Sequence, residues 1–76
     1  TDMYEKITGK IAAVAPVVVE GNTHYYVALE NSELLFDLDL SDDNLIGIIR
    51  YQPGDMIQLT YAPEESGLQV VSEISK

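Results

Sequence analysis

Apolar and polar residues alternate along most of this chain with the two-residue period of a β-strand. The clearest example is Leu34–Leu40, in which the apolar positions Phe36, Leu38 and Leu40 alternate with Asp37 and Asp39. Successive side chains of a strand point to opposite faces, so this segment is predicted to bury one face and expose the other.

Four other segments carry the same signal and are predicted to be strands. In the second strand, Tyr25, Val27 and Leu29 are predicted to point inward, and His24, Tyr26, Ala28 and Glu30 outward. In the fourth, Ile57, Leu59 and Tyr61 are the predicted inner residues, and in the fifth they are Leu68, Val70 and Ile74.

The first strand is the longest, and Ala15-Pro16 interrupts it between Ile7–Val14 and Val17–Val19. Proline has no N–H for a strand ladder, so it belongs at a bulge or on a sheet edge. The sequence therefore predicts a long first strand bent by a bulge, as a small barrel requires. The run of valines is larger than one strand face can cover, so the bend buries both faces or part of this surface meets a partner.

Turn residues separate the strands. Glu20–Thr23 has the composition of a hairpin turn, and Gln52-Pro53-Gly54-Asp55 fits a type II turn. Ser41–Arg50 differs from the rest, since Ser41, Asp42 and Asp43 suit a helix start and Leu45, Ile48 and Ile49 have helical spacing. We predict one or two helical turns that plug a barrel end; a short extra strand is the alternative.

The resulting order is three strands, a short helix and two strands, which favours a closed sheet without free edges. The length of 76 residues suits one domain, spanning residues 1–76. Because the chain begins at Thr1 and not at methionine, we expect it to be part of a longer protein.

This order resembles that of small bacterial OB-fold domains, as do the long bent first strand, which starts with Ile7–Ile11, and the Pro53–Ile57 turn into the fourth strand. An SH3-like barrel shares these two features and remains an alternative. The OB resemblance implies a ligand face on the second and third strands, between the loops Glu20–Thr23 and Pro63–Gly67. That face would hold His24, Tyr26, Ala28, Asp37 and Asp39.

The composition excludes several classes of function but does not identify a specific one. Thirteen acidic and four basic residues give a net charge of −9, which repels phosphate backbones and anionic lipids. The chain has no cysteine and one histidine, which excludes disulfides and multi-histidine metal sites within one chain. No apolar run reaches the roughly 20 residues of a membrane span.

The densest chemical cluster is the acidic segment Asp37–Asp43. It fails the calcium-loop pattern of EF-hands, because Asp42 occupies the glycine position and Ile48 the final ligand position. A solvated strand face is the simpler interpretation. His24 has no nucleophile or orienting partner in the sequence, so an exposed strand residue is its expected role, and an enzyme is not expected.

We therefore predict a non-catalytic accessory or protein-interaction module from a bacterial protein, without catalytic, cofactor-binding or metal-binding residues. Its expected partner is a protein or a neighbouring domain, and its candidate contact residues are His24, Tyr26, Asp37 and Asp39. The alternatives are a single-stranded nucleic-acid-binding module and a cation-responsive acidic domain. An extracytoplasmic or cell-envelope location is favoured over a cytoplasmic one, and the sequence leaves the oligomeric state open.

Overall fold

A computed structural model describes residues 3–76 as a small all-β barrel. Its strands are β1 (Glu5–Val19), β2 (Asn22–Leu29), β3 (Leu35–Asp39), β4 (Met56–Ala62) and β5 (Leu68–Ser75). They close into a ring in the order β1-β2-β3-β5-β4. All neighbours are antiparallel except β3 and β5, which are parallel. The predicted five-stranded fold, with a short helical element before the fourth strand, is confirmed.

β1 serves two sides of the ring because a bulge changes its facing. Its first part, Glu5–Lys10, pairs with β4, and its second part pairs with β2. The register shifts between Ile11 and Ala13, so the bend lies there and not at Pro16 as the sequence suggested. At the bend, Ile11 exchanges backbone hydrogen bonds with the Pro53-Gly54 turn, donating to Asp55 O (2.9 Å) and accepting from Gly54 N (2.8 Å).

The predicted facing of β5 is wrong for its first residues. Gln69 and Val71 point inward, whereas Val70 is 52% exposed. Val71 pairs with Tyr61, but Glu73 pairs with Thr60, so Ser72 is an extra residue that makes a bulge. Beyond this bulge Ile74 returns to the core, as predicted. A single period-2 pattern cannot describe a strand whose facing shifts by one residue partway along.

The segment between β3 and β4 forms a 3-10 helix at Ile46–Arg50, preceded by turns. The 3-10 helix has three residues per turn, so Leu45 and Ile48 align and enter the core. Ile49 was predicted to join them, but it is rotated outward and is 56% exposed. The predicted helix cap is also wrong: Leu45 occupies the cap position and makes no side-chain cap bond.

One hydrophobic core fills the ring. Each strand contributes alternate residues, and Leu45 and Ile48 add to them; the fully buried members include Ile11, Val27, Phe36, Leu38, Ile57 and Leu59. The rings of Phe36 and Tyr61 meet edge to face with centroids 5.2 Å apart. Burial, with the Glu5 carboxylate as a smaller cause, raises the pKa of the Tyr61 phenol.

Candidate functional site

The candidate contact residues lie on the outer side of the sheet, opposite the core-facing residues of the same strands. Residues paired directly across neighbouring strands share a face, so the register defines this surface row by row. Three rows of paired residues form what we call the outer face. Two rows cross β1, β2, β3 and β5, namely Ala13–Ala28–Leu35–Leu68 and Ala15–Tyr26–Asp37–Val70, and the third crosses β1, β2 and β3 as Val17–His24–Asp39.

The structure brings all four predicted contact residues together on this outer face. Tyr26 pairs with Asp37 and His24 pairs with Asp39, so the four residues form a block on β2 and β3. The alternation of the third strand was sufficient to predict that its two aspartates share one face. The sequence did not show that β1 and β5 extend this surface on both sides.

His24 has the carboxylate partner that the sequence did not reveal. Its Nδ1 lies 2.7 Å from Asp37 Oδ1, and its Nε2 lies 3.9 Å from Asp39 Oδ2. The side chains of His24 and Asp37 are only 14% and 15% exposed. The expectation of an exposed histidine is therefore wrong: His24 is held against the sheet by Asp37.

Asp39 combines a position on the outer face with a role in the following turn. Its Oδ1 accepts a hydrogen bond from the backbone N–H of Ser41 (2.9 Å). Hydrogen bonds from the Ser41 backbone and side chain, aided by His24, hold the pKa of the Asp39 carboxyl below its ordinary value. Asp39 therefore presents a carboxylate at neutral pH. Asp42 makes a similar turn, accepting from Asn44 N.

The remainder of the outer face is apolar and shallow. Tyr26 is half-buried. Its neighbours are small, since Ala15 lies beside it on β1 and Ala28 is the next outward residue of β2. Leu35 and Val70, on the parallel strands β3 and β5, are 38% and 52% exposed. The surface therefore offers apolar contact area around one tyrosine, with Asp37 in the middle row and Asp39 in the row at one end.

The four basic residues all lie away from the outer face. Lys6 and Lys10 are on the part of β1 that pairs with β4, Arg50 is in the 3-10 helix, and Lys76 ends the chain. The acidic end of the outer face thus has no lysine or arginine among its strand neighbours. The composition shows only the net charge of the chain. The structure shows that, within residues 3–76, no lysine or arginine neutralises the carboxylates at this end of the outer face.

A second feature of β1 is its open edge. The part of β1 that pairs with β2 has no other strand neighbour among the described residues. Val19 pairs with Asn22 across a two-residue loop, in which Glu20 and Gly21 both have positive φ. Val19 hydrogen-bonds to β2, and so does every second residue before it. Pro16 lies between two of these residues, so its nitrogen faces the open edge. Proline interrupts this edge where an added strand would need an N–H.

Gln69 is the buried polar residue that the sequence analysis missed. It is 2% exposed, and its amide bonds twice to the backbone of one residue: Oε1 accepts from Glu64 N (2.7 Å) and Nε2 donates to Glu64 O (2.9 Å). These bonds tie the loop before β5 to the core. The predicted facing of β5 hid this residue, since it assigned position 69 to the outer side.

Other chemistry is sparse in the part of the chain that the structure describes. Within residues 3–76, no group of three or more histidine, cysteine or acidic residues is arranged to hold a metal ion. Over the same residues, no helix is both long and apolar enough to cross a membrane.

The predicted contact residues and exposed apolar side chains thus meet on the outer face. No family model, no curated protein and no solved structure matches the chain.

Proposed function

We propose that this domain is a non-catalytic interaction module that contacts a protein partner or a neighbouring domain through the outer face. The observation that carries the proposal is the three-row register, which places the half-buried Tyr26 and the exposed Leu35 and Val70 on one surface around Asp37. Tyrosine beside small apolar residues is typical of protein contact surfaces, because its large ring is ordered at low entropic cost.

The architecture supports an OB-like version of this proposal. β1 is shared between two sides of the ring, a short helix precedes β4, and the outer face is centred on β2 and β3. In OB folds that part of the barrel binds ligands. A bacterial, extracytoplasmic parent protein remains part of the proposal.

Single-stranded nucleic acid fits this surface less well. Such sites combine a basic groove with several aromatic side chains on which bases stack. The outer face has one aromatic residue, Tyr26, and carries carboxylates where a phosphate backbone would need cations. A cation-responsive role has weaker support, because the nearest carboxylates already bond to His24 and Ser41.

The test compares two double variants of the immobilised domain in extracts of its native cells. Tyr26→Ser with Asp39→Asn changes the outer face; Tyr4→Ser with Asp43→Asn makes the same chemical changes at exposed positions elsewhere. We expect partner recovery, measured by quantitative mass spectrometry, to fall at least tenfold for the first variant and to remain unchanged for the second. Equal recovery with both variants, or turnover of a substrate by the purified domain, would contradict the proposal.

A further inference from the structure

The dimensions of the outer face indicate the kind of protein surface that it fits. Four strands spaced about 4.8 Å apart span about 14 Å, and three rows of alternate residues span about 13 Å. The resulting area is on the order of 200 Å². A stable interface between two folded proteins buries about 800 Å² on each partner, so this face is too small to form one alone. It matches a short extended segment of about four or five residues.

A second copy of the chain is also opposed by charge. Each copy carries a net charge of −9, and an isologous contact would bring two sets of Asp37 and Asp39 together. Like charges placed opposite each other in an interface cost free energy. The occupant of the outer face is therefore a different segment.

The chemistry of this segment follows from the oxygens that remain available. Asp37 Oδ1 is engaged by His24, and Asp39 Oδ1 by the Ser41 N–H. The Asp39 side chain is 40% exposed, and its Oδ2 lies 3.9 Å from His24 Nε2, which is too long for a hydrogen bond, so the Asp39 carboxylate can accept from a partner. The Asp37 side chain is 15% exposed and adds a second carboxylate beside it. An arginine or lysine side chain can donate to the Asp39 carboxylate, and no lysine or arginine of the chain lies in the rows of the outer face to compete with it.

We infer that the partner is a short extended protein segment in which apolar side chains are followed by an arginine or lysine. The apolar side chains lie on the rows of Tyr26 and Leu35, and the basic side chain lies against Asp37 and Asp39. The inference rests on the proposed function and adds the chemical class of the partner. The open edge of β1 is not its docking site, because Pro16 lacks the N–H that an added strand would bond there.

The test uses three pools of blocked nonapeptides with randomised apolar residues and one fixed central residue: arginine, glutamine or glutamate. Each pool is titrated into the ¹⁵N-labelled domain, and amide chemical shifts are followed by NMR. We expect the arginine pool to perturb amides of the outer face, including Tyr26, Asp37 and Asp39, with an apparent affinity at least fivefold above that of the glutamate pool. Added salt should reduce this preference.

Variants separate charge recognition from apolar binding. Asp37→Asn with Asp39→Asn should abolish the preference for arginine, whereas Asp42→Asn with Asp43→Asn, which removes the same charge outside the outer face, should preserve it. Equal binding of all three pools at the outer face would overturn the basic-segment inference and leave the proposed function standing. No perturbation of this face by any pool would overturn the inference, and tighter binding of an oligothymidine control would contradict the proposed function as well.

Discussion

At the scale of single residues, Gln69 has a larger structural role than its residue type suggests. It is buried, and it satisfies both of its polar atoms on the backbone of Glu64. A buried amide without partners would be costly, whereas one that closes a loop is stabilising. The loop before β5, and with it Val70 on the outer face, therefore depends on this side chain.

We predict that Gln69→Ala lowers the free energy of unfolding by about 2–3 kcal/mol, since it removes two hydrogen bonds and leaves a cavity. Gln52→Ala, at an exposed position, should change stability by less than about 0.5 kcal/mol. Urea denaturation monitored by circular dichroism measures both values. Equal stability of the two variants would show that the amide does not hold the loop.

Asp39 gives a prediction about pH. Its pKa is lower in the folded state than its ordinary value of 3.8, so its contribution to stability is present above that value and is lost as the pH falls through the folded pKa. Asp39→Asn should therefore be less stable than the native chain at pH 7, and the difference should shrink as the pH falls below 3.8.

The control for Asp39 is Asp43→Asn, which removes the same charge at an exposed position. It should not reproduce the pH-dependent difference. Thermal melts of the three proteins at several pH values measure the effect, and a difference between Asp39→Asn and the native chain that does not shrink below pH 3.8 would contradict the assignment.

At the scale of elements, the strands could be predicted and their irregularities could not. The alternation in 34–40 and 56–61 predicts the facing correctly because β3 and β4 contain no inserted residue, and the structure confirms the inward residues there, including Phe36, Leu38, Ile57 and Leu59. β1 and β5 contain bulges, and the position of a bulge depends on the partner strand as well as on the strand's own sequence. The facing of β5, and so the buried Gln69, was wrong for this reason.

The contact residues of the outer face were likewise predictable where they depend on one strand and unpredictable where they depend on pairing. The four contact residues could be placed on one face because strands of predictable parity carry them. The contribution of Leu68 and Val70 required the parallel pairing of β3 with β5, which joins segments far apart in sequence. The bond between His24 and Asp37 likewise depends on the register of two strands.

Gly9 tests the close packing at the inner side of β1. A Cβ atom at this position would lie 3.2 Å from Leu29 Cδ1, so a branched side chain would displace Leu29 from the core. We predict that Gly9→Val destabilises the domain by about 1–3 kcal/mol. Thr8→Val, at the neighbouring exposed position, should change stability by less than about 0.5 kcal/mol. Chemical denaturation distinguishes them, and a neutral Gly9→Val would refute the close contact.

At the scale of the whole molecule, the structure gathers the candidate contact residues on one side of a small barrel. The bulged β1 closes the ring, the parallel contact of β3 with β5 widens the outer face, and the basic residues are distributed elsewhere. An acidic surface of this kind attracts basic partners and repels polyanions, with an effect that salt screens. The net charge describes the whole chain, whereas the structure shows where carboxylates face a potential partner.

Contact between the outer face and a protein partner can be tested by site-specific photo-crosslinking. A photoreactive phenylalanine analogue replaces Tyr26 in one protein and Gln58 in another; Gln58 lies on β4, outside the outer face. In the native cells, we expect the probe at position 26 to form a discrete protein adduct that resists nuclease, and the probe at position 58 to form none. Equal adducts at both positions, or a nuclease-sensitive adduct at position 26, would contradict the account.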